Sequence, residues 1–494
     1  MSLEPSTSSV SPEAAEHALS WPAVSWIWAR HLTSLLFPIS TLTFLWTGPH
    51  PWYVAPLFML PSMFLLDIDS NATVERRQPV ASTPGWPFDG LVYFLAGLQL
   101  LIVFELARMY AIQGFFSVDT AMVLLVVGGS SGFSIINAHE LIHRNNLFER
   151  TLGRLVLASV LQEHFYTEHL RGHHVKVGLP DDPATARFGE SYEAFYRRTV
   201  PAQMRSAWRI EAKRLGDPNM PFFDVRTLGN RVLHGIVVGW GIGFAIWFQF
   251  GLASFAVFLV QAFMASRLLE VVNYFEHWGL RRTGRRIRPS DSWDTHSWFT
   301  YYGLTGLSRH ADHHREPARP YQQLQVFEEA PVLPTGYIGL IFMMTARNHE
   351  FQQHAVRELM QRELGPFSPE TEPEEAERAH ETARKILAHT KPPPAGLFGP
   401  NAEGERGLRV VLPRIAILLG VVLVLTVGVQ FENPESLSFA GRFALDAWIL
   451  AAFYTMIRVY RRLSGTKTSE ALRWSAAMGM LFTIGTITTN VIGF

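Results

Sequence analysis

The stretch AMVLLVVGGSSGFSIINAHELIHR, residues 121–144, is an apolar run that closes on two histidines four positions apart. A helix crossing a bilayer needs roughly 20 consecutive apolar residues, and the run reaches that length at its last turn. On a helix His139 and His143 project from one face, one turn apart. The segment therefore reads as a membrane helix that presents two imidazoles at one end. Outward from it, similar runs lie at about 27–47, 51–66, 90–112, 232–250 and 251–272. The last two are back to back around Gln249-Phe250-Gly251, and the first two carry Pro38, Pro56 and Pro61. Three further runs lie near 410–431, 443–460 and 471–494. So many long apolar segments exclude a large soluble protein.

Composition agrees. Charged residues are only 17% of the 494 and hydrophobic residues 48%, where soluble domains carry about 25% charge. With 43 Lys+Arg against 43 Asp+Glu the formal net charge is zero. That excludes a generally basic nucleic-acid binder and an acidic disordered tail protein. No Cys is present, which removes thiolate zinc sites, cysteine nucleophiles and thiolate-held iron–sulfur clusters.

Four pieces are expected. Residues 1–25 form a flexible tail without the basic start of a signal peptide. Residues 26–363 form the membrane catalytic domain. Residues 364–409 hold a soluble helix over 370–391, then Pro392-Pro393-Pro394 and a linker, and 410–494 a membrane extension. Basic residues near segment ends set orientation. Arg458, Arg461, Arg462 and Lys467, and the five arginines Arg281, Arg282, Arg285, Arg286 and Arg288, are expected on the cytoplasmic side. The loop with Glu432 and Glu435 is then outside.

Histidines cluster in four places, read as lying just beyond membrane segments: His139 and His143; His169, His173 and His174; His277; His310, His313 and His314. Spacing pairs His139 with His143, His169 with His173, and His310 with His313, each pair able to grip one ion. The adjacent His174 and His314 turn away by about 100° toward a second ion. Imidazole suits Fe, Zn, Cu and Ni alike. Neutral imidazoles clustered at a membrane surface are costly without a ligand. Glu140, Glu168, Glu276 and Asp312 sit beside the clusters, where a carboxylate can take a ligating histidine's second N–H.

Three chemistries compete. His139-Glu140-x-x-His143 is literally HExxH, the zinc-protease signature with Glu as general base, yet one zinc leaves about six clustered histidines idle. A metal transporter places its site near the midplane, whereas these clusters fall at helix ends. The third reading is a two-metal oxygenase.

The patterns HxxxH (His139/His143), HxxxHH (His169/His173/His174) and HxxHH (His310/His313/His314) resemble the membrane fatty-acid desaturase/hydroxylase superfamily. Asn273-Tyr274-Phe275-Glu276-His277 resembles its alkane hydroxylase branch, alkane 1-monooxygenase. So do Leu269-Glu270, Ser292-Trp293, His313-His314-Arg-Glu-Pro317, Arg319-Pro-Tyr321 and Phe327 through Tyr337. The likeness spans about 30–360.

The resemblance implies an all-α polytopic membrane protein. Its desaturase-like core would have six transmembrane helices under a cytoplasmic histidine-box cap, with three further C-terminal transmembrane helices. It implies two non-haem Fe held by the nine histidines, and O2-dependent hydroxylation of an alkane's terminal methyl to a primary alcohol. Electrons would come through rubredoxin reductase and rubredoxin. Without Cys this chain cannot carry a rubredoxin domain, so the donor must be separate; the five arginines of 281–288 are candidates to dock it. A bacterial inner membrane is implied, with the active site cytoplasmic and no nucleic-acid partner. Helices around 51–66, 90–112 and 118–137 are candidates to line a hydrophobic tunnel to His139. Gly128, Gly129, Gly132, Ser130 and Ser131 leave room for a chain or serve helix packing. Arg144 stands where the branch tends to have Lys, His296 follows Thr295 where Asn is usual, and Ser308 replaces a Gln. These departures also fit a relative that hydroxylates aromatic methyl groups, or an acyl desaturase.

Overall fold

The structure, a computed structural model, describes residues 20–50, 69 and 84–388. The expected run at 51–66, the three C-terminal runs and most of the N-terminal tail lie outside the described residues. Those described are helical, with one isolated β-bridge between Asp294 and Val332. α1 (Trp21–His31) passes through a tight turn at Leu32–Leu35 into α2 (Leu36–Thr47).

Among the described residues four helices are long and apolar enough to cross a membrane. They are α3 (Trp86–Ile112), the continuous rod Asp119–Ile142, α10 (Arg231–Phe250) and α11 (Leu252–His277). The rod comprises α4 (Val118–Met122), a wide π turn at Val123–Val127 and α5 (Gly128–Ile142). Gly251, at φ 91°, separates α10 from α11, a backbone conformation that glycine adopts without strain. Two spans run further than hydropathy suggests. α5 and α11 carry His139 and His277 in their last turns, so the first and third clusters end the membrane helices instead of following them. A polar residue on a long apolar helix does not stop it when neighbours bury it.

Between and after the spans lie α6 (Leu147–Ala158), α7 (His164–Glu168), a π turn (His169–His173), α8 (His174–Lys176) and α9 (Tyr192–Arg214). α12 (Trp298–Gly303), α13 (His310–Arg315), α14 (Tyr337–Ala346), α15 (Asn348–Gln361) and α16 (Pro373–Ala388) follow. Starts are locally encoded. Asn146 accepts from Phe148 N, Ser191 from Ala194 N, and Asn230 from Val232 N, each satisfying an amide that the first turn leaves open. α16 is not a detached linker helix: Ala379 and Ala383 are buried, and Gln353 of α15 donates to Ile386 O.

α5 and α11 pack at close range because glycine lacks a side chain. A Cβ on Gly128 would stand 2.5 Å from Met264 Cβ, and one on Gly132 would stand 2.4 Å from Leu268 Cδ2. Gly128 and Gly132 are therefore packing positions, while Gly129 faces open space. This contact aligns the histidine-bearing ends of the two spans.

Candidate metal centre

The nine clustered histidines converge into two groups. His139, His143, His169, His174 and His313 form one; His173, His277, His310 and His314 form the other. Within each group the ligand atoms lie within 4.8 Å of one another. In the group of five, His169 Nε2 stands 3.1 Å from His143 Nε2, His174 Nε2 3.0 Å from His169 Nε2, and His313 Nε2 3.1 Å from His174 Nε2. In the group of four, His310 Nε2 is 3.1 Å from His277 Nε2 and His314 Nε2 is 2.9 Å from His310 Nε2. The groups abut, with the His174 and His314 ring centroids 4.5 Å apart.

Two expected pairings are corrected. His169 and His173 part company because they bound a π turn, whose wider winding brings residues five apart together; His169 thus joins His174. On α13, His310 aligns with His314 one full turn on, and His313 faces the other group. His139 and His143 stay together, as the helical spacing predicts.

The donor set fits metal ions. Eight of the nine rings are buried and His143 is partly so. Burial, and then neighbouring imidazoles, hold His143, His169, His174, His310, His313 and His314 below the usual histidine range. They are neutral, with lone pairs to offer. His173 Nδ1 lies 2.9 Å from Asp182 Oδ2, while His173 Nε2 is buried without a partner. The carboxylate takes Nδ1–H and leaves Nε2 as an acceptor turned into the group of four. Buried nitrogens facing one another are costly; a cation among them turns each lone pair into a bond.

The acids behave differently from one another. Glu276 matches the expectation in part: Oε2 is 3.3 Å from His310 Nε2, and Oε1 accepts from the Tyr337 hydroxyl at 2.5 Å. It faces the coordinating nitrogen, not the ring's far side. Glu140 is corrected: it accepts from Arg144 at 2.6 Å, one helical turn on, where a full positive charge outcompetes an imidazole N–H. Asp312 pairs with Arg319 at 3.1 Å and accepts from Gln325 N. Glu168 has both carboxylate oxygens buried without a hydrogen-bond partner, and burial pushes it up to about 7. Sequence reasoning missed Asp182, which also accepts from Thr185 Oγ1 and Ala184 N; the signal was the acidic pair Asp181-Asp182 before Pro183.

Among the five arginines, Arg282 is buried and donates to Val175 O at 2.7 Å, tying the segment after α11 to α8. It is unavailable for docking. Arg281 pairs with Glu375 of α16, and Arg285, Arg286 and Arg288 are exposed.

Among the described residues three cavities share Phe133, and one of them reaches the histidines. A pocket of about 40 Å³ is lined by Gly132, Phe133, His139, His169, Glu276 and His310. An apolar chamber of about 340 Å³ lies against α2, α5, α11 and α14. A pocket of about 20 Å³ includes Leu95 and Gln99 of α3. The chamber draws Leu124, Leu125, Val126, Gly129 and Phe133 from the segment 118–137, together with side chains of α2, α11 and α14, while α3 lines only the smallest pocket; the expected 51–66 helix lies outside the described residues.

A histidine-rich, multi-helix membrane protein with two imidazole groups at its helix ends has the architecture of the desaturase class, and the Fatty acid desaturase family profile matches residues 119–341. The relatives narrow this. Alkane 1-monooxygenase of Ectopseudomonas oleovorans is 30% identical over 331 residues, covering 65% of this chain and 79% of that protein. Alkane 1-monooxygenase 1 of Pseudomonas aeruginosa is 39% identical over 215 residues, covering 42% of this chain and 56% of that protein. The xylene/toluene monooxygenase hydroxylase component of Pseudomonas putida is 22% identical over 202 residues, covering 41% of this chain and 54% of that protein. The chain belongs to the alkane 1-monooxygenase family, although the match spans little more than half the length of the Pseudomonas aeruginosa relative. The zinc-protease reading falls: no clustered histidine is idle, and Glu140, its would-be base, is paired with Arg144.

Proposed function

We propose that this protein is a membrane monooxygenase with two Fe, one in each histidine group, hydroxylating the terminal methyl of an alkane with O2. The observation that carries the reading is the small pocket where His139, His169 and His310 meet apolar side chains from α5 and α11. When bound, the irons supply the O2 activation that no side chain here can provide. The chain's own residues do the rest. Nine imidazoles hold the ions, and Asp182 fixes the tautomer of His173. Tyr337 holds the Glu276 carboxylate facing His310. Phe133, Phe165, Leu268 and Val272 exclude water and align a chain with no polar group of its own.

On this reading the site faces the cytoplasm from a bacterial inner membrane, and rubredoxin, reduced by its reductase, delivers electrons. A groove of about 450 Å³ lined by Arg187, Arg281, Arg378 and Gly279 opens two residues beyond His277. With exposed Arg285, Arg286 and Arg288 it suits an acidic donor. Purified protein incubated with labelled O2, reduced rubredoxin and an alkane series tests the reading. A labelled primary alcohol and about two Fe per chain support it; an unlabelled alkene, or protein replete with zinc and lacking iron, overturns it.

A further inference from the structure

The three cavities meet at one ring. Phe133 lines the apolar chamber, the pocket facing the histidines and the smallest pocket. Its ring packs on Phe37, with centroids 4.6 Å apart. Phe37 lines the chamber and the smallest pocket. Leu268 lines the chamber and the histidine-facing pocket, seated where Gly132 lacks a side chain. A route from chamber to histidines therefore runs between Phe133 and Leu268.

The compartments differ chemically. The chamber is walled by Leu124, Leu125, Met264, Ile341 and Phe342 among others, and Leu125 and Phe342 are about half exposed. It is open to a hydrocarbon arriving sideways from the bilayer. The smallest pocket is mixed, with Ser34, Gln99, Ser130, Ser134, Asn137 and Thr305 set among apolar side chains. Gln99 Oε1 and Thr305 Oγ1 are buried there without partners, beside Ser130 and Asn137. Its 20 Å³ or so is room for about one water with several polar partners.

We infer that Phe133 is a specificity-determining residue: with Leu268 it forms the constriction that an alkyl chain end must pass, and its ring keeps that chain apart from the smallest pocket. The inference rests on the monooxygenase reading and adds the residue that sets its substrate range. An alkane offers nothing to hydrogen-bond, so selection among alkanes is by shape alone. A methylene more or less in an apolar pocket is worth roughly 10-fold or more in discrimination. A ring at the junction controls several such groups. It also decides whether the chain end meets methyl groups or water.

The test compares wild type with Phe133→Ala, Phe133→Leu and Phe133→Trp, reconstituted with iron in vesicles. The kcat/KM ratio of branched or cyclic to linear alkanes is one readout. Binding of an alkyl nitroxide to iron-free protein loaded with Ni²⁺, read by EPR, is the other. Phe133→Ala should raise the ratio roughly 10-fold or more and admit the nitroxide deeper, as shown by faster broadening from Ni²⁺ placed in the histidine groups. Phe133→Leu should recover most of the wild-type ratio, and Phe133→Trp should lower it. Equal ratios and equal nitroxide broadening in wild type, Phe133→Ala and Phe133→Leu, all with wild-type iron content, overturn the inference. If wild type oxidises no alkane, the monooxygenase reading fails, and nitroxide depth alone decides whether Phe133 is the constriction.

Discussion

Asp182 Oδ2 lies 2.9 Å from His173 Nδ1, with both side chains buried, and nothing else satisfies that ring: its Nε2 is left open toward His277, His310 and His314. The carboxylate sets which nitrogen carries the proton. Replacing such a partner typically costs 10- to 100-fold in metal affinity. Asp182→Asn should therefore weaken one ion's binding by about that factor while the other ion's affinity is retained. Iron titration against a chelator measures this; two unchanged affinities would reject the role.

Adjacent histidines straddle the two groups, His313 in the group of five and His314 in the group of four. On the proposed assignment His314→Ala removes one of four donors and His313→Ala one of five. His314→Ala should lose close to one of the two ions, and His313→Ala should keep more of its own because four donors remain. Metal analysis of detergent-purified protein, alongside thermal melting with and without chelator, distinguishes them. Ions that bind only the folded state stabilise it by mass action, so wild type should melt lower after chelation. Identical metal loss in both variants would contradict two separate groups.

Much of this was legible in the sequence, and the failures have physical causes. Nine histidines at helical spacing beside apolar runs point to metal at helix ends. Their division between ions is hidden, because it depends on a π turn at His169–His173 that the spacing alone does not reveal. The acids misled for a related reason. Sequence neighbours such as Glu140 find the nearest cation, here Arg144, while the working carboxylate, Asp182, returns through a loop nine residues later. Arg282 looked like a surface charge within a basic run, but its side chain donates to Val175 O in α8 and its backbone to Gly178 O just beyond it. The span ends were misplaced for the same reason as the clusters: burial among neighbours lets α5 and α11 continue through polar residues.

Gly132 fixes the distance between α5 and α11. A methyl there meets Leu268 at Cδ2, Cγ and Cβ, and Cβ cannot rotate away. Gly132→Ala should cost about 1–3 kcal/mol by overpacking, with the histidine-facing pocket distorted as well. Gly129→Ala, where nothing lies within 4 Å, is the matched control and should be near neutral. Unfolding followed by SDS titration or melting in detergent measures both. Equal stability of the two variants would show that the helices are not held at that point.

Glu163 lies away from the histidines, against Gly235 and Gly239 of α10, with Oε1 buried and unpartnered. Burial pushes its carboxyl from 4.5 up to about 7. The folded chain therefore binds this proton more tightly than the unfolded chain. Its contribution is unchanged below about pH 4.5, and stability is lost as pH rises from there to about 7, where the unfolded chain is ionised and the folded one still holds its proton; above about 7 the loss levels off. At one pKa unit per 1.36 kcal/mol the loss reaches up to about 3 kcal/mol by pH 8, less where the side chain moves toward water. Glu163→Gln keeps the shape and removes the proton. The difference in melting temperature between variant and wild type should be smallest near pH 4, grow in the variant's favour up to about pH 7 and level off by pH 8. Parallel curves across that range would mean that Glu163 ionises without cost, and that the close seat on Gly235 and Gly239 does not exclude water from its carboxylate.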